Sequence, residues 1–106
     1  MKNIKVAYII DNNQLVLNVG KNDGIEPGQR FLIYGLSEED IIDPETNQSL
    51  GKLELVRGTG AISYIQDSMS IIKTDMKERS PLAGLVGNYE VIPFSNPQIG
   101  DFAREI

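Results

Sequence analysis

The chain of 106 residues contains no cysteine and no histidine. Without cysteine there are no disulfides, thiolate nucleophiles or cysteine-ligated metals. Without histidine the commonest general base near neutral pH is missing, and with it any histidine-based triad. A transition-metal centre would have to be built from carboxylates alone. Long hydrophobic runs are absent too, since stretches such as residues 6–10 fall far short of the ~20 apolar residues a bilayer span requires. No apolar segment with a small-residue cleavage site stands near the N-terminus, which points to a cytoplasmic chain with no membrane insertion. Positive charge is scarce: ten Lys+Arg face fifteen Asp+Glu, for a net charge of −5. The cations are scattered along the chain, so a nucleic-acid surface would exist only if folding gathered them.

What is present is a succession of short apolar stretches separated by turn chemistry. Residues 4–10 read as a strand with Ile4, Val6, Tyr8 and Ile10 on one face. Asp11, Asn12 and Asn13 form a turn cluster, and Leu15, Leu17 and Val19 share a face of the next strand, giving a hairpin. Gly20 and Gly24 bracket a second turn and Pro27-Gly28 forms a third. Phe31 and Ile33 then oppose Leu32 and Tyr34 across a strand. Ser37, Glu38, Glu39 and Asp40 have helix-start composition, yet Pro44 follows too soon for a stable helix. Residues 36–49 therefore read as an excursion ending in a tight Asp43-Pro44 turn, capped by the Asp43 side chain and completed by Thr46 and Asn47.

Apolar runs at 50–56 and 61–65 flank Arg57-Gly58-Thr59-Gly60, which predicts one long bent strand or two strands with a glycine bulge. Asp67-Ser68 turns the chain and residues 69–74 return as a strand. Residues 76–80 are charged and 81–87 carry proline and glycine, a composition read as a loop or short helix. A short strand is expected at 89–92, kept from a central position by Pro93 and Pro97. A closing strand is expected over 101–106, where Ile99-Gly100-Asp101-Phe102 echoes the delivery of Phe31 by Pro27-Gly28. The whole reads as one all-β domain over 1–106, a small antiparallel barrel of five to seven strands, with 76–100 irregular or partly helical.

The acidic cluster Glu38, Glu39, Asp40, Asp43 and Glu45 is the one place for a hard cation, but the calcium-loop order is absent and Ile41 and Ile42 interrupt it. It reads as a solvated acidic loop. The glycines around Thr59 lack the following Gly-Lys-Ser/Thr of a phosphate cradle. Tyr8, Phe31, Tyr34, Tyr64, Tyr89, Phe94 and Phe102 fall mostly at strand positions, which assigns them to the core rather than to base stacking. No catalytic, metal or cofactor residue is assigned. Contact with a partner is assigned to Glu38, Glu39, Asp40, Asp43 and Glu45, together with Lys21, Asn22 and Asp23.

Taken together, Val19-Gly20, Gly24-Ile25, Gly28, Phe31 and Tyr34, then Ile42-Asp43-Pro44-Glu45-Thr46, Leu50-Gly51, Gly60-Ala61-Ile62 and Ser70 resemble the C-terminal domain of flagellar assembly protein T, over residues 14–75. The resemblance implies a compact SH3-like β-barrel that acts through protein contacts, without cofactor or catalysis. One departure is Asn47, where the family tends to have glycine; asparagine also enters the left-handed region. The function expected is a non-catalytic bacterial β-barrel module for protein–protein contact or self-association, as a possible homo-oligomer. Two alternatives are a nucleic-acid-associated barrel, in which Lys52, Arg57 and Lys73 would converge, and a carboxylate-based metal-binding protein. Partner and process are left open.

Overall fold

Alternating apolar residues and closely spaced turn signals produce strands almost throughout the computed structural model, which describes residues 3–79 and 89–106. In chain order these are β1 (Val6–Asp11), β2 (Gln14–Leu17), a 3-10 turn (Lys21–Asp23), β3 (Arg30–Ile42), β4 (Ser49–Ile65), β5 (Ser70–Thr74), β6 (Lys77–Arg79), β7 (Tyr89–Val91) and β8 (Phe102–Glu105). Among the described residues every strand pairing is antiparallel. Six strands form one sheet in the order β1-β2-β5-β4-β3-β8, and β6 with β7 forms a separate ribbon.

The two ends of the large sheet meet. Val6 N–H donates to Asp101 O at 2.8 Å, Gly100 N–H to Val6 O at 2.8 Å and Ala103 N–H to Ile4 O at 3.0 Å. Lys5 and Phe102 form one isolated bridge here, and β1 and β8 are not paired as a ladder, so no closed barrel is formed among the described residues. The curled sheet encloses Val6, Leu15, Leu17, Val19, Ile25, Phe31, Ile33, Ile62, Ile72 and Phe94. Leu15, Leu17, Val19, Phe31 and Ile33 are the positions that strand alternation selects.

Two turns deliver phenylalanines into neighbouring strands. At Pro27-Gly28 the Gln29 N–H returns to Glu26 O and Gly28 has φ of 83°; Gly100 has φ of 94°. Both glycines occupy a region that side chains with a Cβ rarely enter. Phe31 and Phe102 follow on the paired strands β3 and β8. The expected last strand is thus present, and its partner is distant in sequence.

Three expectations need correction. Tyr8 and Ile10 do not share the buried face of Val6: Tyr8 is 60% exposed, and Ile9 packs on the core instead. The cause is a bulge, because Val6 pairs with Leu17 while Tyr8 pairs with Val16, leaving Ala7 unmatched and reversing the alternation. Second, residues 77–79 are a strand, not loop or helix, because they pair with β7 in the register Lys77↔Val91, Glu78↔Glu90 and Arg79↔Tyr89. The loop or helix expected over 81–87 lies outside the described residues. Third, the excursion over 36–49 is built of paired strand, since β3 and β4 continue on both sides of the turn at 43–48.

The Arg57-Gly58 region resolves as one long strand with a bulge: Ile33 pairs with Gly58 and Tyr34 with Val56, so Arg57 is the extra residue. The tail then crosses this end of the core. Phe94 N–H donates to Asn12 O and Ser95 N–H to Arg57 O, both at 2.8 Å, and the Thr74 hydroxyl donates to Ile92 O at 2.7 Å. The Phe94 ring is buried against Gly60, where a Cβ would stand 3.0 Å from Cζ of the ring.

Candidate functional site

The pairing of β3 with β4 reaches well beyond the rest of the sheet. β8 accompanies β3 only from Phe31 to Tyr34, and β5 accompanies β4 only from Gly60 to Ile65. Past these limits the two strands continue, from Gly35↔Leu55 to Ile42↔Ser49, as an arm whose two edges pair with no further strand among the described residues. The radius of gyration is 16.4 Å, against about 13 Å for a compact chain near this length. The longest dimension is 52 Å.

A partly buried ion pair marks where the core stops. Arg57 Nε donates to Asp101 Oδ2 at 3.1 Å, with side-chain exposures of 15% and 5%. Gln98 N–H adds a second bond to the same oxygen at 2.7 Å. The pair lies over Gly35, where any Cβ would stand 2.6 Å from the guanidinium and 2.8 Å from the carboxylate. Phe31, Ile33 and Gly35 share one face of β3, so the ion pair covers the last position of the core row. Leu55, opposite Gly35, and Leu53 continue that face past the ion pair. Leu53 is 53% exposed, and Leu36, Ile41, Ile42 and Leu50 are also exposed along the arm.

The arm is shaped by bulges and by local polar bonds. Leu36 pairs with Glu54 and Asp40 with Lys52, so residues 37–39 oppose Leu53 alone. The Ser37 hydroxyl fills this irregularity, accepting from Leu53 N–H at 2.9 Å and donating to Glu39 O at 2.8 Å. At the tip, Asp43 Oδ1 accepts from Glu45 N–H at 2.8 Å and Thr46 Oγ1 from Gln48 N–H at 3.3 Å, while Asn47 has φ of 59°. The side-chain roles read from Asp43, Thr46 and Asn47 are the ones the turn uses.

The arm's one lysine is occupied. Lys52 Nζ donates to Glu38 O at 2.7 Å and lies 3.5 Å from Asp40. The Ser49 hydroxyl, followed by the Lys52 ammonium, holds the Asp40 carboxyl below the usual carboxylate value. Glu54 is bidentate with Arg104 of β8 at 2.9 and 3.2 Å and holds that guanidinium above its usual value. Arg104 in turn lies 5.0 Å over the Tyr34 ring, which stacks on Phe102. Among the described residues no cation lies within ion-pair distance of Glu38, Glu39, Asp43 or Glu45.

The predicted contact residues fall into two groups that the fold keeps apart. Glu38, Glu39, Asp40, Asp43 and Glu45 belong to the arm and its tip. Lys21, Asn22 and Asp23 form the exposed 3-10 turn, anchored by Lys21 N–H to Gln66 O and Asn22 N–H to Asp67 O, beyond the opposite end of β4. The apolar half of the arm was not among the predicted contacts. Its signal was the pair of apolar runs, Ile41-Ile42 before the Asp43-Pro44 turn and Leu50 to Val56 after it, which together spell a hairpin.

The three cations named for a nucleic-acid surface are not free together: Lys52 is tied to Asp40 and Arg57 to Asp101, while Lys73 is exposed on β5. Among the described residues, no group of three or more acidic side chains is placed to hold a metal ion, and no helix is long and apolar enough to cross a membrane. Compared with known proteins, the chain matches no family model and no curated sequence.

Proposed function

We propose that this chain is a non-catalytic module that works by protein contact, with the β3–β4 arm as its contact element. The single observation that carries this reading is the arm itself: two strands with no further strand on either edge among the described residues, and with exposed leucine and isoleucine side chains beyond the end of the core. An isolated two-stranded ribbon is marginal in water, and open edges accept further strands. A partner that covers the arm supplies both the missing burial and the missing backbone bonds. The body is the scaffold. Its joined sheet ends support reading it as a small SH3-like barrel, in keeping with the resemblance of residues 14–75 to the flagellar assembly protein T domain.

Site-specific photo-crosslinking in the cell of origin tests the reading, with the probe at Leu53 on the arm or at Lys73 on the body. A discrete protein adduct from Leu53, absent from Lys73 and lost when Leu55 is changed to serine, is the expected result. Equal labelling from both positions, or none from the arm, would count against it.

A further inference from the structure

The arm differs from the rest of the chain in charge as well as in exposure. Residues 36–55 hold six acids (Glu38, Glu39, Asp40, Asp43, Glu45 and Glu54) and one base (Lys52), a net of −5. The remainder holds nine acids and nine bases, so the whole net charge of the protein resides on the arm. Lys52 is already paired with Asp40 inside the arm. The apolar side chains of the arm are therefore set in a uniformly negative field.

Resting on the reading of the arm as a contact element, we propose that its occupant is a different protein, one that presents an extended apolar strip bordered by lysine and arginine. A second copy is disfavoured by the same charges. Arm against arm sets −5 beside −5 while two apolar faces are being desolvated, and arm against body meets a surface of zero net charge that gives no steering. A basic strip reverses both terms. Leu53, Leu55 and Ile41 supply apolar contact, and the edges of β3 and β4, open among the described residues, supply backbone pairing, while the acids Glu38, Glu39, Asp43 and Glu45, without an ion pair among those residues, supply attraction and register. The acids thereby keep the exposed edges of two copies apart and select the partner.

The probe is a pair of eight-residue strand peptides, valine alternating with lysine and valine alternating with glutamate, titrated into the isotopically labelled full chain and followed by NMR. The lysine peptide should shift signals within 36–55 and leave those of β2 and β5 in place. Its affinity should fall about tenfold between low and moderate salt, as expected for a contact steered by exposed charge. The glutamate peptide should not bind. The triple variant E38K/E39K/E45K should exchange these preferences, and E38Q/E39Q/E45Q should weaken the lysine peptide with no reversal, which keeps the test valid if charge reversal disturbs the arm. Arm binding indifferent to peptide charge would overturn the inference and leave the contact reading standing. So would dimerisation through the arm, seen by light scattering at the same concentrations. Failure of both peptides would overturn the inference alone; failure of the peptides with no crosslink from Leu53 would remove the contact reading as well.

Discussion

The body and the arm are built from the same two strands, and they are held together by different means. Along β3, Phe31 and Ile33 are buried, while Leu36, Ile41 and Ile42 of the same strand are exposed. Along β4, Ile62 is buried, while Leu50 and Leu53 are exposed. Composition does not separate the halves, since both are rich in leucine and isoleucine. What separates them is company. The body strands have β8 and β5 beside them and the Phe94 segment across their end, whereas among the described residues the arm strands pair only with each other. A hydrophobic residue contributes through the area it removes from water, so the same side chain stabilises one half and waits for cover in the other.

The largest expected effect probes the packing of the body's core. Phe94→Ala should cost about 3–5 kcal/mol, measured by urea denaturation, because a fully buried ring is lost from a small core. A loss like that of an arm residue would mean that the tail does not complete the body. Arg57→Met should cost about 3 kcal/mol, since it leaves Asp101 buried without its cation. If stability is unchanged, the ion pair does not mark the end of the core. In the opposite direction, Ser70→Ala should stabilise the chain by about 1 kcal/mol, because the Ser70 hydroxyl is fully buried and has no hydrogen-bond partner among the described residues. In the arm, Leu53→Ser and Leu55→Ser should each change the stability of the free chain by less than about 0.5 kcal/mol. A larger loss would place these leucines in the core.

A pH titration sharpens the same contrast from the body's side. Asp75 accepts from Arg30 Nε at 2.6 Å and from the Thr59 hydroxyl at 2.7 Å. The bond from Arg30, aided by Thr59 and opposed by partial burial, holds its carboxyl below the ordinary value. A carboxyl depressed on folding stabilises the native state above its unfolded pKa, and this contribution disappears as pH falls through the folded pKa. Asp75→Asn should therefore flatten the acid limb of the stability–pH curve, followed by thermal melts. An unchanged acid limb would show that this bond is not maintained in solution.

Much of the body was legible because it obeys local rules. The alternation of Leu15, Leu17 and Val19, the Pro27-Gly28 turn and the Asx bond donated by Asn13 N–H to the Asp11 carboxylate each follow from a few adjacent residues. The misreadings have two physical sources. Bulges change the alternation without any marker residue: Ala7 is unexceptional, yet it turns Tyr8 outward and Ile9 inward. Distant pairing is also silent, as the strand Lys77–Arg79 shows, since among the described residues it pairs with Tyr89–Val91 alone. The arm fell between the two. Its tip was readable from Asp43, Thr46 and Asn47, but its acidic composition concealed that residues 37–40 run as a strand. That they do depends on the Ser37 hydroxyl and on pairing with β4 across the turn. The Arg57–Asp101 pair joins positions far apart in sequence, and no local pattern announces it.

The claim that the arm stands outside the body's cooperative core is tested most directly by native-state hydrogen exchange on the free chain. Amides of Ile33, Ile62 and Ile72 should exchange only through global unfolding, while the paired amides of residues 36–42 and 49–55 should open locally at much lower free energy. Equal protection in both regions would contradict the account, because the arm would then be covered or rigidly held without any partner.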